Sequence, residues 1–143
     1  MKKTTHKIKK KTTIKVRFKI VNTNHLVIKA TLNGVAGRFI VDTGASNTCI
    51  GAHSIAHFNL NVEQSQTIAA GAFSTGVTTQ LAKNNTLKIN KWTHQTDLVV
   101  FDLTHINEVL KSCKVKAVDG ILGADILIAG NAIIDYSNRY LSF

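Results

Sequence analysis

The run FIVDTGASNT, residues 39–48, sets an aspartate behind three apolar residues and follows it with a hydroxyl and a glycine. Burying a carboxylate at the end of a hydrophobic strand is unfavourable unless its charge is held or used. The chemistry open to such a group is hydrolysis by a carboxylate pair sharing one water. One carboxylate deprotonates the water, while the other, protonated, polarises the carbonyl under attack. Two carboxylates about 3 Å apart do not both ionise easily, so the pair keeps one proton. Each must sit on a tight loop with its oxygens held by backbone N–H groups. A glycine two residues on lets that backbone approach, and a hydroxyl residue between them can hydrogen-bond back and fix the loop. Asp42, Thr43 and Gly44 meet these requirements in order. Taken alone, the triplet also fits a turn that simply ends a strand.

The elements that must position this loop are mostly strands. Ile14, Val16, Phe18 and Ile20 alternate with Lys15, Arg17 and Lys19, which predicts one half-buried strand. Apolar runs lie on both sides of Asn33-Gly34, a hairpin signal because both central positions of a type I′ turn need φ > 0. The strand after that turn, 38–41, ends at Asp42. GAHSIAHFNLN, 51–61, predicts one short helical turn with Ile55, Phe58 and Leu60 as its apolar contacts. Residues 65–103 are strand-rich, punctuated by Gly71, Gly76 and Asn84-Asn85. THINEVLKSC, 104–113, predicts a helix capped by Thr104 with Ile106, Val109 and Leu110 on one face. Residues 116–143 read as a buried strand, a short helix and a final hairpin turning at Ser137-Asn138. Many short strands with few helices point to an all-β architecture, barrel-like or orthogonally packed.

Composition narrows the functional classes. A chain of 143 residues, 44% hydrophobic and 18% charged, suits a single globular domain with a real core. Cys49 and Cys113 stand far apart with no CxxC, which argues against a disulfide framework or zinc site and for two buried thiols in a reducing compartment. The net charge is +10, and the first 19 residues hold nine of the eighteen Lys and Arg and no acid. This divides the chain into a basic, flexible arm at 1–13 and a domain at 14–143. The arm could meet nucleic acid or an anionic surface, but a solvated tail is the favoured reading, and no nucleic-acid motif supports it elsewhere. No apolar run follows Lys11, so we expect no signal peptide, no membrane span and a cytoplasmic protein. His53 and His57 have ligand spacing but no third ligand, which favours solvated or packing roles. Cys49, seven residues after Asp42, lacks the surroundings of a nucleophile.

The context of Asp42 resembles the retropepsin-like aspartic proteases, the single-domain relatives of pepsin. In that family a hydrophobic strand leads into D-[ST]-G-[AS], here RFIVDTGAS. Later, two hydrophobic residues and a glycine open a short helix, here Ile121, Leu122 and Gly123 in GILGADIL. NAIIDYSNRYLSF, 131–143, is similar to the last hairpin of bacterial members and of the DNA-damage-inducible protein family. The resemblance covers residues 14–143. It implies an all-β, closed barrel with two or three short helices, with the second motif packed beneath the Asp42 loop and its glycine admitting the close crossing.

The resemblance also implies an aspartic endopeptidase acting on a peptide or protein substrate without cofactor or metal. The chain holds one D-[ST]-G; Asp119, Asp125 and Asp135 do not repeat the pattern. A homodimer is therefore implied, with one Asp42 per subunit and Thr43 interlocking with its mate beneath the pair. Family members cover the substrate with a glycine-tipped hairpin flap. TIAAGAFSTGVTT, 67–79, has the right place, so Ala70, Gly71, Ala72 and Phe73 join Ala45 as substrate-binding candidates. Retroviral members carry an acidic residue soon after DTG-Ala and an arginine just after the later glycine. ASN and GAD stand there instead, which sets this chain apart from the retroviral branch. The basic first strand also matches an interleaved dimer sheet poorly, because like charges would approach across the axis. The alternative is a catalytically silent member that binds peptides or dimerises.

Overall fold

The computed structural model describes residues 13–68 and 78–143. Its strands are β1 (Lys15–Arg17), β2 (Lys19–Ile20), β3 (Leu26–Leu32), β4 (Val35–Val41), β5 (Cys49–Gly51), β6 (Val62–Ile68), β7 (Thr78–Ile89), β8 (Trp92–Phe101), β9 (Gly120–Leu122), β10 (Ile133–Asp135) and β11 (Tyr140–Ser142). Two α-helices, α1 (Thr104–Ser112) and α2 (Ala124–Ala129), and one 3-10 turn (Ala52–Ser54) complete the described elements. The larger sheet runs β2-β3-β4-β9-β5-β8-β7-β6, and β3 also pairs with β7. That extra pairing, Thr31 with Lys88 and Leu32 with Leu87, closes β3, β4, β9, β5, β8 and β7 into a six-stranded barrel. The all-β closed barrel read from the sequence is thus the fold.

Asn33 and Gly34 take φ of 52° and 78°, so the β3–β4 hairpin turns where the dipeptide indicated, with Leu32 opposite Val35. From this turn β4 runs back to deliver Asp42. Its last three residues are all buried because two apolar layers meet on it. Phe39 and Val41 join the main barrel core with Leu122 and Ile50, whereas Ile40 faces a second cluster with Val27, Ile121, Leu103 and Leu110 beneath α1. Alternation in a strand normally yields one polar face. Packing on both faces explains the unbroken FIV.

Four local expectations change. The first strand is two: β1 pairs with β11, β2 pairs with β3, and the chain switches partner at Phe18, whose N–H donates to Arg139 O. The alternation runs through the switch because Phe18 stays buried. Asn84-Asn85 does not end a strand; Asn84, at φ 60°, sits in a register shift within β7. Helix α1 begins at Thr104 itself with Leu103 at the N-cap, and Asp102, one residue earlier, accepts the Thr104 N–H at 2.9 Å. The Thr104 hydroxyl, first, and then its N–H hold the Asp102 carboxyl below its ordinary range. Cys113, expected to be buried, is exposed beyond the helix end.

The first and last described strands meet in a second sheet. β1, β11 and β10 form a three-stranded antiparallel sheet within one chain, with Lys15 opposite Ser142 and Ile133 opposite Ser142 on its other side. Strand β1 is thereby paired inside its own subunit. Arg17 donates to the Tyr140 hydroxyl at 2.8 Å, so part of the basic face packs on a neighbouring strand. No helix among the described residues is long and apolar enough to cross a membrane.

Candidate active site

Asp42 follows β4 directly, and its backbone is anchored first. Its N–H donates to Leu122 O at 2.9 Å, which carries the parallel β4–β9 pairing one residue beyond the strand. Its Oδ1 accepts the Gly44 N–H at 2.8 Å, and Ala45 N–H returns to Asp42 O at 3.3 Å. A Cβ on Gly44 would stand 3.2 Å from Asp42 Oδ1, so a glycine suits this close approach. Asp42 is half-buried, while Thr43 and Gly44 face outwards. Asp42 Oδ2 accepts no hydrogen bond from the described residues.

The sequence placed Ile121, Leu122 and Gly123 in a supporting motif, and the fold brings them against this loop. Ile121 and Leu122 pair with Ile40 and Val41. A Cβ on Gly123 would meet Ala45 O at 2.6 Å and the Asn47 carbonyl carbon at 2.9 Å, both rigid backbone. The two chain segments cross there at a distance that only a glycine permits. Ala124 N–H then donates to Ala45 O at 2.7 Å, tying the start of α2 to the loop.

Two residues of this frame escaped the sequence reading. Thr48, almost fully buried, accepts the Gly123 N–H at 2.9 Å through Oγ1. Asp125 Oδ1 accepts both the Thr48 hydroxyl at 2.7 Å and the Thr48 N–H at 2.9 Å. Thr48 and Asp125 adjoin the positions, in ASN and just after Gly123, at which retroviral members carry an acid and an arginine. Asp119 and Asp135 are engaged elsewhere: Asp119 accepts Arg38 N–H at 2.9 Å and the Ser54 hydroxyl at 2.8 Å. Asp135 accepts the Asn138 N–H and side-chain amide, and the latter contributes most to lowering its carboxyl.

His57 Nε2 donates to Ala36 O at 2.9 Å with its ring edge against Phe58, and His53 is exposed. Among the described residues no three His, Cys, Asp or Glu side chains gather as a metal site. The flap candidates Ala70, Gly71, Ala72 and Phe73 lie outside the described residues. The strands flanking them, β6 and β7, are antiparallel, with Ile68 opposite Thr78.

Cys49 opens β5 beside this frame. Burial pushes its thiol up to about 11; a hydrogen bond with the Ile121 backbone opposes the rise, and the Asp125 and Asp42 carboxylates add to it. At pH 8 a thiol titrating at about 11 is thiolate in roughly one molecule in a thousand. Alkylation by iodoacetamide at pH 8 is therefore expected at exposed Cys113 first. The Cys49 rate should rise about tenfold per pH unit towards pH 11, which peptide mapping by mass spectrometry would follow.

Comparison with known proteins decides the family. A family model described as aspartyl protease matches residues 28–126. The chain belongs to the aspartyl protease family. The matched span runs from β3 through Asp42 to Ile126, the stretch that builds the loop and its support. No curated protein sequence matches the chain. Among solved structures, a retropepsin-like aspartic protease from Rickettsia conorii is 18% identical at a TM-score of 0.59, covering 92% of this chain and 87% of that one. The retroviral protease-like domain of Ddi1 from Leishmania major is 17% identical at 0.56, covering 86% and 88%. EIAV protease complexed with the inhibitor HBY-793 is 19% identical at 0.57, covering 76% and 90%. At these identities the likeness shows the fold, and the fold of this family member is retropepsin-like.

Proposed function

We propose that this aspartyl protease family member is an aspartic endopeptidase active as a homodimer, with one Asp42 from each subunit activating a shared water. The carrying observation is the Asp42 carboxylate itself: Oδ1 is fixed by the Gly44 N–H at 2.8 Å on a loop buttressed by Gly123. One carboxylate can act as base, but a second is needed to polarise the carbonyl. Asp119, Asp125 and Asp135 are engaged elsewhere. The second carboxylate therefore comes from the same residue across a two-fold axis. Thr43, exposed beside Asp42, is free to meet its mate there.

In this reading an extended peptide lies across the paired Asp42 loops, with Ala45 beneath it and Ala70, Gly71, Ala72 and Phe73 above. Backbone pairing supplies affinity, and alternate side-chain pockets supply selectivity. One Asp42 takes a proton from the water, and the protonated mate donates a hydrogen bond to the scissile carbonyl. The proton then passes to the departing amine, and the shared proton is restored to the pair.

Dilution is the test. Hydrolysis of an unbiased peptide mixture, read by mass spectrometry, should lose specific activity as the protein is diluted through its dimer dissociation constant. Constant specific activity from a protein that stays monomeric by light scattering would overturn the shared site. A dimer that binds peptides yet releases no products would instead favour the catalytically silent alternative.

A further inference from the structure

We infer that Thr48 and Asp125 are positioning residues that hold the Asp42 loop in its reactive shape through a directed hydrogen-bond relay. The inference rests on the endopeptidase reading for its consequence, but its geometry stands apart from it. Thr48 carries one hydroxyl proton and accepts through the same oxygen. Because Gly123 N–H donates to Thr48 Oγ1 at 2.9 Å, the hydroxyl proton is left for Asp125 Oδ1 at 2.7 Å. That oxygen also accepts the Thr48 N–H and the Ile126 N–H, each at 2.9 Å. Three donors on one oxygen call for an acceptor at position 125 and leave no room for a donor there.

The relay fixes the far end of a loop whose near end is held elsewhere. Asp42 N–H is bonded to Leu122 O, the middle is bonded at Ala45 O, and Thr48 closes the frame onto α2. The five residues between Asp42 and Thr48 have little other support, since Thr43, Gly44, Ser46 and Asn47 are exposed. Losing the relay would leave the Gly123 N–H without its partner inside the molecule, and such a group is stabilised only by moving. Movement at Gly123 passes to Ala45, against which it is packed. Small displacements of a reacting group can reduce turnover by about two orders of magnitude without weakening substrate binding.

The test compares Thr48→Val, which keeps the shape and deletes the hydroxyl, with Thr48→Ser, and Asp125→Ala with Asp125→Asn, whose amide oxygen still accepts. Two readouts are taken on the whole chain: kcat and KM for peptide hydrolysis, and amide hydrogen exchange at Gly44. We expect Thr48→Val and Asp125→Ala to lower kcat about tenfold or more with little change in KM, and to speed Gly44 exchange. Thr48→Ser and Asp125→Asn should restore both. Unchanged kcat and exchange in the two deleting variants would overturn the relay, as would equal impairment in the two conservative ones. If Asp125→Ala does not fold, the isosteric Thr48→Val decides alone. A wild type without hydrolysis but with the expected exchange pattern would overturn the endopeptidase reading and support the relay.

Discussion

Asp42→Asn is expected to lower peptide hydrolysis by at least about a thousandfold while leaving the protein folded. The asparagine oxygen can still accept the Gly44 N–H, and the Asp42 backbone bond to Leu122 O does not involve the side chain. Asp42 is only half-buried, so no large packing term is lost. In the proposed mechanism, what disappears is the base that takes the water's proton and, in the mate, the acid that polarises the carbonyl. Each such role contributes roughly a hundredfold to ten-thousandfold, and one substitution removes both from a symmetric pair. Kinetics on the purified variant, with its melting temperature and oligomeric state measured beside the wild type, separate the chemistry from the fold. Hydrolysis at the wild-type rate would remove Asp42 from the reaction.

Gly123→Ala is expected to damage stability and activity together. Gly123 has φ −96° and ψ −176°, which any residue can adopt, so the substitution brings no conformational strain. The penalty is steric, since the new methyl would fall 2.6 Å from Ala45 O and 3.0 Å from Asn47 O. Backbone on both sides leaves no flexible side chain to yield. Overpacking of this kind costs about 1–3 kcal/mol, and relief must come from moving the Asp42 loop away from β9. Denaturant unfolding should show the loss of stability, and kcat should fall by about a hundredfold even under conditions where the variant is fully folded. Gly34→Ala is the contrasting control. Gly34 has φ 78° and nothing near its added Cβ, so that change should strain the distant hairpin by about 1 kcal/mol and leave turnover intact. Equal effects from the two glycines would show that the crossing at Gly123 is not special.

The parts of this architecture that were legible in the sequence are those carried by local chemistry. Asn33-Gly34 announced a hairpin because few other residues take two successive positive φ values. The FIV run before Asp42 and the ILG run before α2 were visible as buried strands, although only the fold shows that Ile40 serves a second core beneath α1. What stayed hidden depends on partners distant in the chain. Thr48 and Asp125 lie 77 residues apart, and neither is surrounded by a pattern that marks the relay. The change of partner at Phe18 keeps the apolar alternation intact and so leaves no trace in it. Asp102 and Thr104 are both capping types, and the segment DLT does not say that Asp102 will accept the first helical N–H across Leu103. Cys113 was assigned to the interior on the average habit of cysteine, yet it falls just past the surface end of α1.

The pairing of β1 with β11 bears on how two subunits would meet. β1 is an edge strand of this intrachain sheet, with β11 on one side, so the basic strand would face its own copy across an axis only by pairing through its other edge. A dimer that leaves that edge unpaired avoids the like-charge conflict of an interleaved terminal sheet. Thr43, Gly44, Ser46 and Asn47 are the exposed residues of the Asp42 loop that a second subunit could meet.

The separation of the two Asp42 carboxylates in a crystal structure of the assembled protein tests the central claim most directly. The account predicts a symmetric dimer with those carboxylates about 3 Å apart and the two Thr43 side chains in contact below them. A monomer, or a dimer that leaves the two Asp42 side chains on separate surfaces, would contradict it.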